Sequence, residues 1–224
     1  MTEREVQAVV FDLDGVLVDS EQQWDEVRRG VAVEAGRSWP DGATRALQGM
    51  STPEWAAYLT DVIGVPGRPE DVAAQVIDRM ASRYRSRLPL LPGAVEVVRR
   101  LALHWPLGLA SSSPRQLIDA VLESANLASE FRVTVSTEEV RAGKPSPAVY
   151  EEVVRRLGVD AQQTVAIEDS SNGLRSAARD GLRVIAVPTK AFPPDKDALS
   201  LASVVAHSLD DITPPLVMSL ADRS

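Results

Sequence analysis

The sequence predicts an α/β protein in which a parallel sheet carries helices on both faces, with an all-helical segment inserted after the first strand. Short apolar runs, typical of strands buried on both faces, alternate with stretches of helical periodicity over most of the chain. This alternation predicts a parallel sheet, because right-handed crossovers place the helices on its faces. Residues 19–88 interrupt the alternation, since their apolar residues repeat at helical spacing only.

Six apolar runs are the candidate strands. Four of them are pronounced, the third in chain order is weaker, and the last is a short edge strand. We predict strands at residues 6–11, 107–110, 133–135, 164–167, 184–187 and 204–205.

The helices are predicted from apolar stripes at three- and four-residue spacing. Two stripes of the α/β part are followed by Gly158 and Gly181, residues typical of helix C-caps. Three stripes of the inserted segment are Trp24, Val27, Val31 and Ala35, then Trp55, Leu59, Val62 and Ile63, then Val72, Val76, Met80 and Tyr84.

The composition excludes several classes of site and partner. Hydrophobic residues make up 44% and charged residues 25% of the 224 residues, which is typical of a soluble globular protein. The absence of cysteine excludes disulfides and thiolate catalysis, and two histidines, His104 and His207, argue against a multi-histidine metal site. The net charge of −8 repels nucleic acids and anionic membranes, so we expect neither as a partner.

The amino terminus lacks the features of a targeting segment. Residues 1–7 are charged and run directly into the first apolar strand, whereas a signal peptide needs a longer apolar stretch. No apolar run reaches the roughly 20 residues of a membrane helix. We therefore expect a cytoplasmic protein.

Two pairs of carboxylates follow predicted strands. Asp12 and Asp14 come after the first strand, and Glu168 and Asp169 come after the fourth. Ligands of open parallel sheets bind beyond the carboxyl ends of the strands, so these acids are predicted to share one crevice. Close carboxylates repel unless a cation lies between them, and a hard oxygen site suits Mg²⁺. The alternatives are a solvated turn for the first pair and a helix N-cap role for Asp169.

Hydroxyl groups and one lysine add a potential anion site. Ser111 and Ser112 follow the second strand and precede a helix near Pro114, where backbone N–H groups also bind anions. The alternative is a serine N-cap with proline at the first helical position. Lys144 lies in a glycine-proline loop before a helix, where it would bind a phosphate oxygen and a carboxylate, unless it is a solvated loop residue.

Taken in order, these clusters resemble the haloacid dehalogenase superfamily of phosphohydrolases. The resemblance rests on Asp12-Leu13-Asp14-Gly15, Ser111, Lys144 and Glu168-Asp169. Within it, the chain is similar to the β-phosphoglucomutase-like and sugar-phosphatase group, through Val18-Asp19-Ser20-Glu21, Lys144-Pro145-Ser146-Pro147 and Glu168-Asp169-Ser170. The resemblance implies a Rossmann-like core of residues 1–18 and 89–224 and a small helical cap of residues 19–88.

The resemblance also implies a mechanism. Asp12 would be the nucleophile that forms an aspartyl-phosphate, and Asp14 the general acid and base. Asp12, the backbone carbonyl of Asp14 and Asp169 would bind Mg²⁺, and Glu168 would bind it directly or through water. Ser111, Ser112 and Lys144 would bind the phosphoryl oxygens.

The cap would select the substrate through a loop that contains Gly49. Mutases of the group usually have an arginine shortly after this glycine and a histidine on the first cap helix, where this chain has Thr52 and Trp24. We therefore expect a monomeric Mg²⁺-dependent phosphatase that acts on a small phosphorylated metabolite, such as a sugar or polyol phosphate. A hexose phosphate mutase and a catalytically silent phosphometabolite-binding protein are the alternatives.

Overall fold

The fold is an open parallel sheet with helices on both faces, as predicted. The computed structural model describes residues 5–47, 50–189 and 193–221. All strand pairs in these ranges are parallel, and the sheet order is β3-β2-β1-β4-β5-β6. The strands are β1 (Ala8–Phe11), β2 (Leu107–Ser111), β3 (Phe131–Ser136), β4 (Thr164–Glu168), β5 (Arg183–Ala186) and β6 (Val204–Val205).

The helices of the α/β part follow the predicted stripes. Gly158 and Gly181 take left-handed backbone conformations directly after the third and fourth of these helices, which confirms them as C-caps. These helices are α5 (Ala94–Ala102), α6 (Arg115–Ser124), α7 (Ala148–Leu157), α8 (Ser171–Asp180), α9 (Lys196–Leu199) and α10 (Pro214–Ser219). Helices α1–α4 belong to the inserted segment.

Each face of the sheet packs against its own apolar cluster. Along β1, Val9 and Phe11 lie in the cluster that includes α5 and α6, whereas Ala8 and Val10 lie in the cluster that includes α7 and α8. This follows from the alternation of side chains along a strand. Every residue of β1, β2 and β4 is buried, so the three central strands are fixed in position and their carboxyl ends meet at one edge.

Residues between β1 and α5 form helices, as the periodicity predicts. The helices are α1 (Glu21–Glu34), α2 (Ala43–Ala46), α3 (Thr52–Ala57) and α4 (Pro69–Ser86), and a π-helical turn, Tyr58–Val62, follows α3. The stripe of α4 is buried in full, and so are Trp24, Val27 and Val31 of α1. The core of this segment is continuous with the cluster on the α5 and α6 face of the sheet.

One residue of the predicted apolar stripes, Val62, is exposed instead of buried. Val62 is 61% exposed, although its spacing from Leu59 and Ile63 predicted burial. The chain leaves α-helical geometry at Tyr58, and a π-helical turn holds more residues than an α-helical turn. The turn therefore rotates Val62 to the surface while Leu59 and Ile63 stay in the core.

None of the helices in the described ranges combines the length and the apolar character needed to cross a membrane.

Candidate active site

Asp12 and Lys144 form a buried ion pair at the carboxyl end of the sheet. The backbone N–H of Asp12 donates to the carbonyl of Ile167 at 3.0 Å, which continues the β1–β4 ladder and fixes the position of Asp12. The ammonium group of Lys144 lies 2.7 Å from Oδ1 of Asp12, 2.6 Å from Oε1 of Glu168 and 3.0 Å from the carbonyl oxygen of Ala110. Lys144 therefore joins the ends of β1, β2 and β4.

The loop that carries Lys144 is anchored by α8. Ser176 donates to the carbonyl of Ser146 at 2.6 Å, and Arg179 donates to the carbonyl of Pro145 at 2.9 Å. The lysine is thus held over the strand ends by hydrogen bonds to its neighbouring residues. The solvated-loop alternative for Lys144 is wrong, because only 5% of its side chain is exposed.

Glu168, the last residue of β4, is fully buried. Its Oε1 accepts hydrogen bonds from Lys144 and from the hydroxyl of Tyr150, the latter at 2.8 Å. Its Oε2 accepts one from the backbone N–H of Asp169 at 3.2 Å. A Cβ at Gly173 would lie 1.9 Å from Oε2, so the first turn of α8 approaches this carboxylate in a way that only glycine permits.

Asp12, Glu168 and Asp169 form an acidic cluster in which one carboxylate oxygen of each lies within 4.8 Å of the others. Oδ1 of Asp169 is buried, and it has no hydrogen-bond partner in the described part of the chain. A Cβ at Gly15 would lie 2.0 Å from Oδ2 of Asp169, so the chain makes room for this carboxylate. Buried carboxylate oxygens that converge with an unsatisfied acceptor fit a hard divalent cation.

The electrostatics of the acidic cluster also favour a bound cation. Burial, followed by the negative charge of Glu168, raises the pKa of Asp12 to about 8 and raises the pKa of Asp169 well above its ordinary value. Burial alone would lower the pKa of Lys144, but Asp12 and Glu168 raise it above its ordinary value. One ammonium thus does not balance the buried carboxylates, and a further positive charge would allow them to ionise.

Asp14 lies beside the cluster and has a different partner. Its Oδ2 accepts a 2.6 Å hydrogen bond from the hydroxyl of Ser113, whose carbonyl in turn accepts one from Ser136 at 2.7 Å. The carboxylate of Asp14 is not part of the acidic cluster. It is partly accessible, unlike Asp12, and is held by a side chain that follows β2.

The three serines after β2 have separate surroundings. Ser111 is fully buried and its Oγ accepts from the backbone N–H of Ser113 at 2.9 Å, while Ser112 is exposed. Pro114 rather than a serine stands at the N-cap of α6, so the alternative of a serine N-cap is wrong. The hydroxyl of Ser113 contacts Asp14 instead of the helix.

The structure brings Asp12, Lys144, Glu168 and Asp169 together and places Asp14 and Ser111 next to them. Gly49 lies outside the described residues. Ser170, not Asp169, caps α8, because its side chain accepts from the backbone N–H of Gly173 at 3.1 Å. This leaves Asp169 available for the cluster.

Sequence reasoning missed Ser113 and Tyr150. Ser113 had a signal, since it belongs to the run of hydroxyl residues at a strand end. Tyr150 had only a weak one, a polar group within the buried face of the helix that follows Lys144.

The sequence matches the model of a known family. A family model described as haloacid dehalogenase-like hydrolase matches residues 6–181, most of the chain. The chain belongs to this family. The resemblance drawn from the four motifs is therefore confirmed, and with it the prediction of a hydrolase with the α/β fold of these proteins.

Two relatives of the haloacid dehalogenase family show what the chain is similar to. Hexitol phosphatase B of Escherichia coli O157:H7 is 34% identical over 219 residues, which cover 95% of this chain and 96% of that protein. A phosphorylated carbohydrates phosphatase of Thermotoga maritima is 30% identical over 183 residues, covering 80% of this chain and 84% of that protein. Both are named as phosphatases.

A solved structure shares the fold. The crystal structure of CbbY from Rhodobacter sphaeroides in complex with phosphate has a TM-score of 0.85 and 23% sequence identity, and the match covers 96% of this chain and 99% of that chain. At this identity the likeness concerns the fold. Hydrolases of the family use a divalent metal ion, in keeping with the acidic cluster.

Proposed function

We propose that this protein is a Mg²⁺-dependent phosphatase that hydrolyses a sugar or polyol phosphate through an aspartyl-phosphate on Asp12. The observation that carries the proposal is the convergence of the carboxylates of Asp12, Glu168 and Asp169, the first two of which also contact the ammonium group of Lys144. The relatives named as phosphatases of hexitol and carbohydrate phosphates support the substrate class.

In this proposal, Asp12 is the nucleophile. A carboxylate oxygen of Asp12 attacks phosphorus, the bond from phosphorus to the ester oxygen breaks, and Asp14 gives its proton to the departing alcohol. Asp14 then accepts a proton from water, whose oxygen attacks phosphorus and releases inorganic phosphate and free Asp12. The hydrogen bond from Ser113 to Asp14 supports this role, because it orients the carboxyl group.

Asp12, Glu168, Asp169 and the backbone carbonyl of Asp14 are the proposed Mg²⁺ ligands. The buried, unpartnered oxygen of Asp169 supports this assignment. When bound, Mg²⁺ supplies the positive charge that lets an anionic carboxylate approach an anionic phosphate.

Lys144, Ser111 and Ser112 are the proposed phosphate-binding residues, and Gly49, which lies outside the described residues, is a further candidate. Lys144 is already fixed by two carboxylates and one carbonyl, so its charge is oriented before the substrate arrives. A charge oriented in advance stabilises the transition state without reorganisation.

We propose that residues 19–88 are a cap over a core of residues 1–18 and 89–224. The all-helical character of the segment, and its insertion directly after the loop that carries Asp14, support this division. A cap in this position would close the crevice over the substrate.

A phosphatase is favoured over a mutase because α1 presents no histidine to the crevice. At the corresponding position Trp24 is 9% exposed and packs on Trp55, with ring centroids 5.9 Å apart. Without a histidine there, a phosphorylated intermediate would lose one of the contacts that the resemblance assigns to mutases.

The test is release of inorganic phosphate from a panel of sugar, polyol and nucleotide monophosphates, with and without Mg²⁺. We expect turnover of a sugar or polyol phosphate that needs Mg²⁺ and is abolished in Asp12→Asn, with Asp119→Asn as a surface control. Conversion of one sugar phosphate into its isomer, dependent on a bisphosphate primer, would overturn the phosphatase proposal. Absence of any turnover would favour the silent binding protein.

A further inference from the structure

Arg28 of α1 is a buried cation that lies against two tryptophan rings. Its guanidinium carbon lies 4.7 Å from the ring centroid of Trp24 and 4.9 Å from that of Trp55. Only 9% of the residue is exposed. Stacking on two indole rings stabilises the cation and limits its conformations, so the guanidinium is oriented before any ligand binds.

The guanidinium lacks the partner that such burial normally requires. Its Nε is buried and has no hydrogen-bond partner in the described ranges, and no described carboxylate lies within ion-pair distance of it. Its neighbour Arg29, by contrast, lies 3.2 Å from Asp25. Buried arginine nitrogens are expensive to leave unpaired, so the arrangement indicates an acceptor supplied by a ligand.

Arg28 and Glu21 both lie near enough to Asp14 for its charge to shift their pKa. Glu21, the first residue of α1, and Arg28 are seven residues apart and therefore share one face of the helix. Burial lowers the pKa of Arg28 to about 10, and the carboxylates of Glu21, Asp25 and Asp14 oppose this shift. The negative charge of Asp14, the proposed acid and base, therefore stabilises the charged form of Arg28.

We propose that Arg28 is a specificity-determining residue that donates hydrogen bonds to hydroxyl oxygens of the alcohol part of the substrate, a polyhydroxylated phosphate monoester. This inference rests on the proposed function and identifies how the substrate class is recognised. Glu21, at the start of the same helix face, would accept hydrogen bonds from hydroxyl groups of the same substrate.

The charges around Arg28 favour a hydroxylated substrate over one with a second phosphate. The negative charges of Glu21, Asp25 and Asp14 already favour the charged guanidinium, although none of these carboxylates is within ion-pair distance of it. A second phosphate would be repelled by these carboxylates, whereas a hydroxyl group both accepts from arginine and donates to a carboxylate. Arg28 as donor and Glu21 as acceptor would therefore suit a substrate that carries two hydroxyl groups.

The experiment compares two substrates in wild-type protein, Arg28→Met and Arg28→Lys with Mg²⁺. The substrates are the most active polyol or sugar monophosphate of the panel and p-nitrophenyl phosphate, which lacks aliphatic hydroxyl groups. We expect the ratio of kcat/KM for the polyol phosphate to that for p-nitrophenyl phosphate to fall by about 10- to 100-fold in Arg28→Met, since a charged donor is lost. Most of the change should be in KM, with partial recovery in Arg28→Lys.

Binding without turnover provides a second measurement. In Asp12→Asn, fluorescence of Trp24 and Trp55 should respond to the polyol phosphate, and the added Arg28→Met should weaken this binding by a similar factor. Arg68→Met is the control, because Arg68 is an exposed arginine of the same segment whose ion pair is with Asp71. It should leave the substrate ratio unchanged.

The outcomes separate this inference from the proposed function. If wild-type protein hydrolyses neither substrate, the proposed phosphatase is wrong. If Arg28→Met lowers kcat/KM equally for both substrates, or changes neither, Arg28 does not determine specificity although the phosphatase stands. Preferential binding of a sugar bisphosphate that is lost in Arg28→Met would show that the ligand is a second anion and would also overturn the inference.

Discussion

The ammonium group of Lys144 lies 2.7 Å from Oδ1 of Asp12, and 5% and 8% of the two side chains are exposed. The residues are 132 positions apart and meet only because β1 is central in the sheet and α8 anchors the lysine loop. In a buried ion pair the attraction between the two charges offsets the cost of removing them from water, and removal of one partner leaves the other uncompensated. The site is therefore both a catalytic candidate and a stability determinant.

Lys144→Met should destabilise the protein as well as inactivate it. The change leaves Asp12 and Glu168 without their cation, and we expect a loss of about 3–5 kcal/mol in the free energy of unfolding together with loss of phosphate release. Urea unfolding without Mg²⁺ measures the first effect. Lys196→Met, at an exposed lysine of α9, is the control. Equal stability of Lys144→Met and wild type would mean that the pair contributes nothing to folding.

Mg²⁺ should raise the thermal stability of the wild-type protein. A ligand that binds only the folded state stabilises it in proportion to the logarithm of its concentration. Asp169→Asn removes a proposed Mg²⁺ ligand that has a buried, unpartnered oxygen, so the melting temperature of this variant should respond much less to Mg²⁺. Thermal unfolding over a Mg²⁺ series, with Asp119→Asn as control, makes the comparison. The same Mg²⁺ response in Asp169→Asn would remove Asp169 from the metal site.

Two glycine-to-alanine changes should have opposite effects on stability. In Gly173→Ala the new methyl group would meet Oε2 of Glu168 at 1.9 Å, so either the carboxylate or α8 must move. In Gly30→Ala, within α1, no heavy atom lies within 4 Å of the new Cβ. We expect Gly173→Ala to be strongly destabilising and inactive, and Gly30→Ala to stabilise by about 0.5–1 kcal/mol. Chemical denaturation of both variants tests this, and a stable, active Gly173→Ala would contradict the placement of Glu168.

Asp180, which is not one of the proposed site residues, should make the free energy of unfolding depend on pH. Burial, followed by the negative charge of Glu151, raises the pKa of Asp180 to about 6 from an ordinary value of 3.8. Between these values the unfolded chain binds fewer protons than the folded protein, so this group lowers stability as pH rises from about 4 to about 6. Its position at the carboxyl end of α8 adds to the cost of its charge.

Asp180→Asn should therefore gain stability over wild type as pH rises through this window, with a constant difference above it. Urea unfolding of both proteins between pH 4 and pH 7 measures the difference, with the exposed Asp41→Asn as control. A difference that does not change with pH would mean that Asp180 titrates normally.

The residue pattern alone predicted the order of strands and helices, the inserted helical segment, and the carboxylates and lysine at the strand ends. Apolar periodicity reports which side chains are buried, and parallel strands place their carboxyl ends at one edge whatever the details of packing. The proximity of Asp12, Glu168 and Asp169 could therefore be predicted from the sequence. Val62 shows the limit of periodicity, because one π-helical turn changes the face that a residue occupies.

The contacts between side chains could be learned only from the folded structure. Ser113 contacts Asp14, Tyr150 contacts Glu168, and Arg28 lies against both Trp24 and Trp55. Each contact depends on the direction of a side chain and on how a helix packs against distant chain, and local sequence does not encode either. The placement of the carboxylates and the lysine thus follows from residue type and strand order, whereas the contacts of Tyr150 and Arg28 follow from the packing of α7 and α1.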